Sequence, residues 1–415
     1  MIDWGTLDAA AVNHALSVGL GRALLYARQH GSIPDTDVLW DALLHSQTYD
    51  WTLEGHRAPW LWSIVEEVGL AKSWAGSLLA ALPEATSVPD ADQLAGLALC
   101  IAKSGHEGAE DALEAILSAH LNPTLTVPGA RELVQLRGVD GLKTVFDVVG
   151  KALLAGDERH LHGMGAWMMN VEDILGIDVV AEALANATDA PTRAIRDVLS
   201  EEDSDEISLI TDSFGPRPLD SGERESLFNL VRRSALAFAA GKTAPLDDDH
   251  LAASLARLGR HPPSTLDPLL LALDAHPSPR VRRQLSKLLS GISDPLLRAL
   301  ALNGPLGHPD RLRLLVANYA SGDARRILSA LDLDLTRDED HDRSNVLLRL
   351  HEARPDEDWT GALVHVYTRA PSSLHREEAL ERLLDDETAP IWMVAEACWD
   401  AHPDVAATAR QADQA

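Results

Sequence analysis

Residues 45–62, HSQTYDWTLEGHRAPWLW, hold the densest set of chemistry-bearing side chains in the sequence. His45, Tyr49, Asp50, Trp51, Glu54, His56, Arg57, Trp60 and Trp62 fall within one helix–loop–helix stretch. As a catalytic site, Asp50 or Glu54 would orient His45 or His56 as a general base, and Arg57 would hold an anionic group. As a binding site, Trp and Arg beside Tyr are the residue types that dominate interface energy. A third arrangement needs no ligand: the tryptophans fill the groove between helices while Glu54 and Arg57 pair across a turn. The stretch is the first place to look for function, with Trp51, Glu54, His56, Arg57 and Trp60 as its candidate binding residues.

Other chemistry is thinner. His160 and His162 stand two apart, so on a helix they point about 200° from each other and could share a metal only in an extended segment. Cys100 and Cys398 are the only cysteines, too few for a disulfide framework or a thiolate cluster. No Gly-x-Ser-x-Gly, His-Glu-x-x-His, phosphate-loop or dinucleotide signature is present. No metal and no cofactor is expected; the missing signatures lower the expectation of an enzyme, and catalysis by the 45–62 cluster stays open.

Charge is more informative. The chain carries 36 basic and 64 acidic side chains, a net of −28. Such a field repels phosphate at long range, which disfavours nucleic acid and anionic membranes as partners. Residues 231–326 reverse the sign, with 14 basic against 8 acidic side chains, a net of +6. Arg280, Arg283 and Lys287 recur at i, i+3, i+7 opposite Val281, Leu285 and Leu288, and Arg311 and Arg313 follow. Stacked in a repeat they would form a basic ridge able to receive an acidic segment of another protein. Alternatively the ridge pairs with the chain's own carboxylates.

These residues need elements to hold them. Apolar residues recur at helical spacing almost throughout, as at Val281, Leu285, Leu288, Leu289 and at Leu312, Leu315, Val316, Tyr319. Leu, Ala and Val carry the apolar weight, and 46% of residues are hydrophobic. No alternating strand pattern competes, so the fold class is all-α. Each helical pattern is short and ends at Gly, Pro, Asp or Ser.

The same punctuation returns at His276-Pro277, His308-Pro309, Arg354-Pro355 and His402-Pro403, with proline intervals of 32, 46 and 48 residues. Proline lacks an N–H and fixes φ, so it ends one helix and suits the first turn of the next. Asp310, Asp356 and Asp404 can accept backbone N–H groups at the new N-terminus, and His or Arg suits the preceding C-terminal pole. The histidines are thus expected to be architectural.

Asp274-Ala275-His276-Pro277-Ser278-Pro279-Arg280-Val281-Arg282 resembles the HEAT repeat, in which an Asp and a Pro in the intra-repeat turn precede a Val-Arg pair opening the second helix. Leu312-Arg313 repeats the apolar-Arg pair, whereas Asp358-Trp359-Thr360 and Val405-Ala406-Ala407 lack the arginine. The resemblance implies an α-solenoid of stacked antiparallel helix pairs, here in two segments: 1–200, then an acidic, Pro/Gly-containing linker at 201–222, then a HEAT-like array over 223–415. It also implies a non-catalytic protein-binding scaffold. Two alternatives share the fold: an acidic immunity- or inhibitor-type protein that neutralises a basic partner, and a HEAT-like nucleic-acid-binding or repair protein. MIDWGTLDAAAV lacks a basic start, and no uncharged apolar run reaches membrane length, so a cytoplasmic location is expected.

Overall fold

The computed structural model describes residues 4–119, 127–156, 164–199 and 219–414. Every regular element among them is helical. None of these helices is long and apolar enough to cross a membrane. His160 and His162, and most of the expected linker, lie outside the described residues.

The helices in chain order are α1 (Ala9–Val18), α2 (Arg22–His30), α3 (Thr36–Leu44), α4 (Trp51–Glu54), α5 (Ala58–Glu67), α6 (Ala71–Ala81), α7 (Val88–Lys103), α8 (Ala109–Ala119), α9 (Ala130–Arg137), α10 (Val139–Leu154), α11 (Met164–Leu175), α12 (Ile177–Ala185) and α13 (190–199). Then come α14 (Ser221–Ala239), α15 (Asp248–Gly259), α16 (Pro279–Leu289), α17 (Pro295–Asn303), α18 (Pro309–Leu315), α19 (Asp323–Leu328), α20 (Arg337–Ala353), α21 (Thr360–Arg369), α22 (Ser373–Asp385), α23 (Ile391–Ala397) and α24 (Pro403–Asp413).

Backbone contacts divide the chain into two compact units, Met1–Gly215 with Ile391–Ala415, and Pro216–Pro390. Residues 391–415 therefore group with the first helices rather than with the array expected over 223–415. Ala401 N–H donates to Gly19 O at 2.9 Å, and the Trp60 indole N–H donates to Trp399 O at 3.0 Å. Arg22 grips the fully buried Glu396 with two hydrogen bonds of 2.7 Å. Gly21 permits this approach, because a Cβ there would lie 2.1 Å from Glu396 O.

In the first unit α7 is the hub and touches α3, α5, α6, α8 and α9. Ser87 caps it by accepting Asp90 N–H at 3.2 Å, and Leu94 to Leu99 are buried without interruption. A helix that is apolar on every side belongs in a core.

In the second unit contacts run between some neighbours, as α17 with α18 and α21 with α22, and between elements farther along the chain. One series runs α15, α16, α18, α20, α22, and the 3₁₀ segment Pro268–Ala275 packs on both α14 and α16. Arginines reach across these contacts. Arg311 on α18 holds Asp274 of the 3₁₀ segment at 2.6 and 2.8 Å, and Arg298 on α17 holds Asp323 on α19.

The His-Pro punctuation is structural, but histidine acts differently from expectation. His308 is itself the N-cap of α18: its Nδ1 accepts Asp310 N–H at 3.3 Å. His276 Nδ1 accepts Ser278 N–H at 3.2 Å one residue ahead of α16, and His56 Nδ1 accepts Ala58 N–H at 3.3 Å at the start of α5. The imidazole thus fills the capping role given in the sequence reading to aspartate; Asp310 instead turns to Arg313 and Ser286. Pro309 and Pro403 open α18 and α24, but α16 opens at Pro279 and not at Pro277. Pro355 opens no helix at all. Asp358 accepts Thr360 N–H, so α21 starts five residues after the proline.

Candidate functional site

The 45–62 stretch splits into parts with different fates. Asp50 caps the single-turn α4, accepting from Thr52 N–H at 3.1 Å and its hydroxyl at 2.5 Å, so it is not free to orient a base. His45 is exposed, 3.6 Å from Asp90. Arg57 is buried, and its guanidinium donates to Ser17 O at 2.8 Å against the end of α1. It is therefore remote in role from any anion held by His56. Trp60 and Trp62 are core residues whose N–H groups are satisfied, Trp60 by Trp399 O and Trp62 by Glu66 and Ser104. Glu54 is buried, and Leu53 beside it is exposed. The tryptophans largely fill space, as in the ligand-free arrangement.

Trp51 and His56 are the exceptions. Trp51 walls a cavity of about 370 Å³ whose other walls include Asp92 on α7, Arg131 and Glu132 on α9, and Trp167 and Asp173 on α11. That volume lies at the small end of the range for ligand sites, about 300–1,000 Å³. His56 sits against this wall with Nε2 3.9 Å from Glu132 Oε1. Its ring rests on the backbone of Gly96, where a Cβ would come within 2.5 Å of Cε1.

The electrostatics follow from burial. Glu132 is 3% exposed, and desolvation, reinforced by the Asp92 charge, raises its pKa to about 7. Burial likewise raises Asp92, against the opposing pull of His56 and Arg131. Burial lowers His56, with Asp92 pulling the other way. A neutral imidazole beside a carboxyl that titrates near neutrality is a proton-transfer couple in principle. The Trp167 indole is 2% exposed, and its N–H has no hydrogen-bond partner among the described residues. Most buried N–H groups are satisfied, so an orphan on a cavity wall is notable.

Asp92, Arg131, Glu132, Trp167 and Asp173 were not singled out as site residues in the sequence. Trp167 and Met168 are buried, whereas Met169 is 65% exposed.

Most of the candidate ridge residues are paired within the second unit. Arg280 pairs with Asp249 at 2.8 Å, Arg283 with Asp342 at 3.3 Å, and Arg311 with Asp274. Arg313 is 4% exposed and bonded to Asp310, Asp342 and Ser286. Lys287, which is exposed, is the one of the five candidates without an ion pair among the described residues. Four of the five ridge residues thus tie elements of the second unit to one another. Burial pushes the Cys100 thiol up to about 11 and raises that of Cys398, so neither is a ready thiolate.

Comparison with protein-family models, curated proteins and solved structures gave no match.

Proposed function

We propose that the protein is a non-catalytic binding scaffold, that its second unit is an α-solenoid of stacked antiparallel helix pairs of HEAT-like type, and that its partner is a basic protein. The element-to-element contacts from α15 to α22 support the stacking. The observation that carries the choice of partner is the internal pairing of Arg280, Arg283, Arg311 and Arg313 with aspartates. With those four guanidiniums engaged by the chain's own carboxylates, the candidate ridge offers a partner little free positive charge, and the protein as a whole carries −28. That favours the inhibitor-like alternative over an acidic partner seated on 231–326, and it disfavours nucleic acid for the same reason.

The test is co-purification from the source cells, with salt titration of whatever is retained. The expected partner is strongly basic, is released progressively as salt rises, and is retained equally by the double variant Arg280→Glu, Lys287→Glu. Both positions are exposed, so their reversal leaves the buried Arg313 network intact. An acidic partner lost in that variant would restore the ridge and overturn the basic-partner reading, as would tight retention on duplex DNA at low salt.

A further inference from the structure

We propose that the cavity between α4, α7, α9 and α11 is a binding site for a small primary amine that also carries an acceptor oxygen, as in an amino acid or the first residue of a peptide. This stands apart from the scaffold reading and does not depend on it.

The walls set the ligand's two ends. Asp92, Glu132 and Asp173 contribute three carboxyl groups against one guanidinium, Arg131, while burial favours a neutral His56 beside them. A desolvated carboxyl gains most from a cation that can donate hydrogen bonds to it, and an ammonium has three donors. Trp51 and Trp167 add aromatic walls, surfaces to which a cation and its apolar stem are both attracted. These features alone would admit any alkylamine. The Trp167 indole N–H narrows the class, because it is a donor only, is 2% exposed and lacks a partner among the described residues. With Arg131 it offers two donors to an acceptor oxygen, which a plain alkylamine lacks and a carboxylate or carbonyl supplies.

The site also links binding to protons. Glu132 meets Asp92 on α7, His56 before α5, Arg131 on its own helix and, farther along α7, Cys100. With its carboxyl titrating at about 7, an ammonium ligand binds more tightly as pH rises through that value and displaces a proton from Glu132.

Isothermal titration of the full chain with L-leucine, 4-methylpentanoate, isopentylamine and L-leucinamide tests this. Leucine is expected to bind saturably and at least about tenfold more tightly than the analogue lacking the ammonium or the one lacking the carboxylate, the size of one lost charge-assisted hydrogen bond. Glu132→Gln should weaken leucine by a similar factor, and Trp167→Phe, which keeps a ring and removes the N–H, should selectively narrow the gap between leucine and isopentylamine. Asp173→Asn on the exposed rim provides a variant with little risk to folding, and it should weaken the ammonium-bearing probes only. Leucinamide binding as well as leucine points to peptide N-termini as the source; leucine alone points to the free amino acid. No saturable heat with leucine or leucinamide, equal binding of all four probes, or unchanged affinity in Glu132→Gln and Asp173→Asn would overturn the site.

Discussion

Replacing Glu132 by glutamine should make the first unit more stable above neutrality and leave it unchanged in acid. Burial moves this carboxyl from 4.5 to about 7, so between those values the folded chain holds a proton that the unfolded chain has released. Stability must then fall as pH rises through that window, with the whole cost in place above about 7 and none of it below 4.5. A displacement of that size corresponds to roughly 3 kcal/mol. The carboxamide has the shape of the protonated acid and never ionises, so the variant escapes the cost. Asp92, also raised, contributes with the same sign. His56 acts in the opposite direction: its lowered value makes folding more favourable as pH rises toward 6.5, above which it adds no further slope.

The difference between the two proteins isolates Glu132. Urea unfolding at pH 4.5 and pH 8 should give coincident curves at the lower pH and a gain of about 3 kcal/mol for Glu132→Gln at the higher. In thermal scans the same gain is a rise of about 6–12 °C for a unit of this size. Parallel pH profiles for the two proteins, or a variant less stable at pH 8, would show that Glu132 is ionised and well paired in the fold, and the argument from burial would fail.

Gly96→Ala would place a methyl 2.5 Å from the His56 ring and 2.8 Å from Ala58 Cβ, and should cost about 1–3 kcal/mol in urea unfolding while disturbing the cavity wall. Arg313→Ala removes a guanidinium shared by Asp310, Asp342 and Ser286 and should cost about 2–4 kcal/mol. Arg280→Ala, whose pair with Asp249 is mostly exposed, should stay within about 0.5 kcal/mol of wild type in the same assay.

The all-helical class was legible because helical periodicity is a local property, carried by spacings such as Val281, Leu285, Leu288. Which helix meets which is not local. The stripes of α23 and α24 look like those of any other pair, and it is contacts such as the close approach at Gly21, the Arg22–Glu396 pair and the Trp60–Trp399 hydrogen bond that assign them to the first unit. The cavity was hidden for the same reason. Asp92, Glu132 and Trp167 are about as far apart in sequence as whole repeats, and each alone looks like a helix-surface acid or a core aromatic. The tryptophan-rich stretch reaches this cavity through Trp51, with His56 beside Glu132, while its most conspicuous members, Arg57 and Trp60, are buried in packing. At Pro355 the sequence rule missed because the proline only closes α20; opening α21 falls to Asp358, which accepts the N–H two residues on.

Why histidine precedes these helices can be argued from its two nitrogens. Aspartate would serve as well at Nδ1, since that atom only accepts a backbone N–H. What aspartate lacks is a second, opposite end. In His56, His276 and His308 the Nε2 side faces a carboxylate of another element: Glu132 at 3.9 Å, Asp248 at 3.8 Å and Glu339 at 3.4 Å. With Nδ1 accepting, the ring proton belongs on Nε2, directed at that carboxylate. One side chain therefore starts a helix and ties it to a neighbour without adding a carboxylate to a chain already at −28. His276 and His308 meet carboxylates that remain 61% and 23% exposed, so there the device is purely connective. At His56 the carboxylate is Glu132, 3% exposed and next to a cavity. The same geometry, moved from surface to interior, sets the imidazole against a carboxyl that burial raises to about 7.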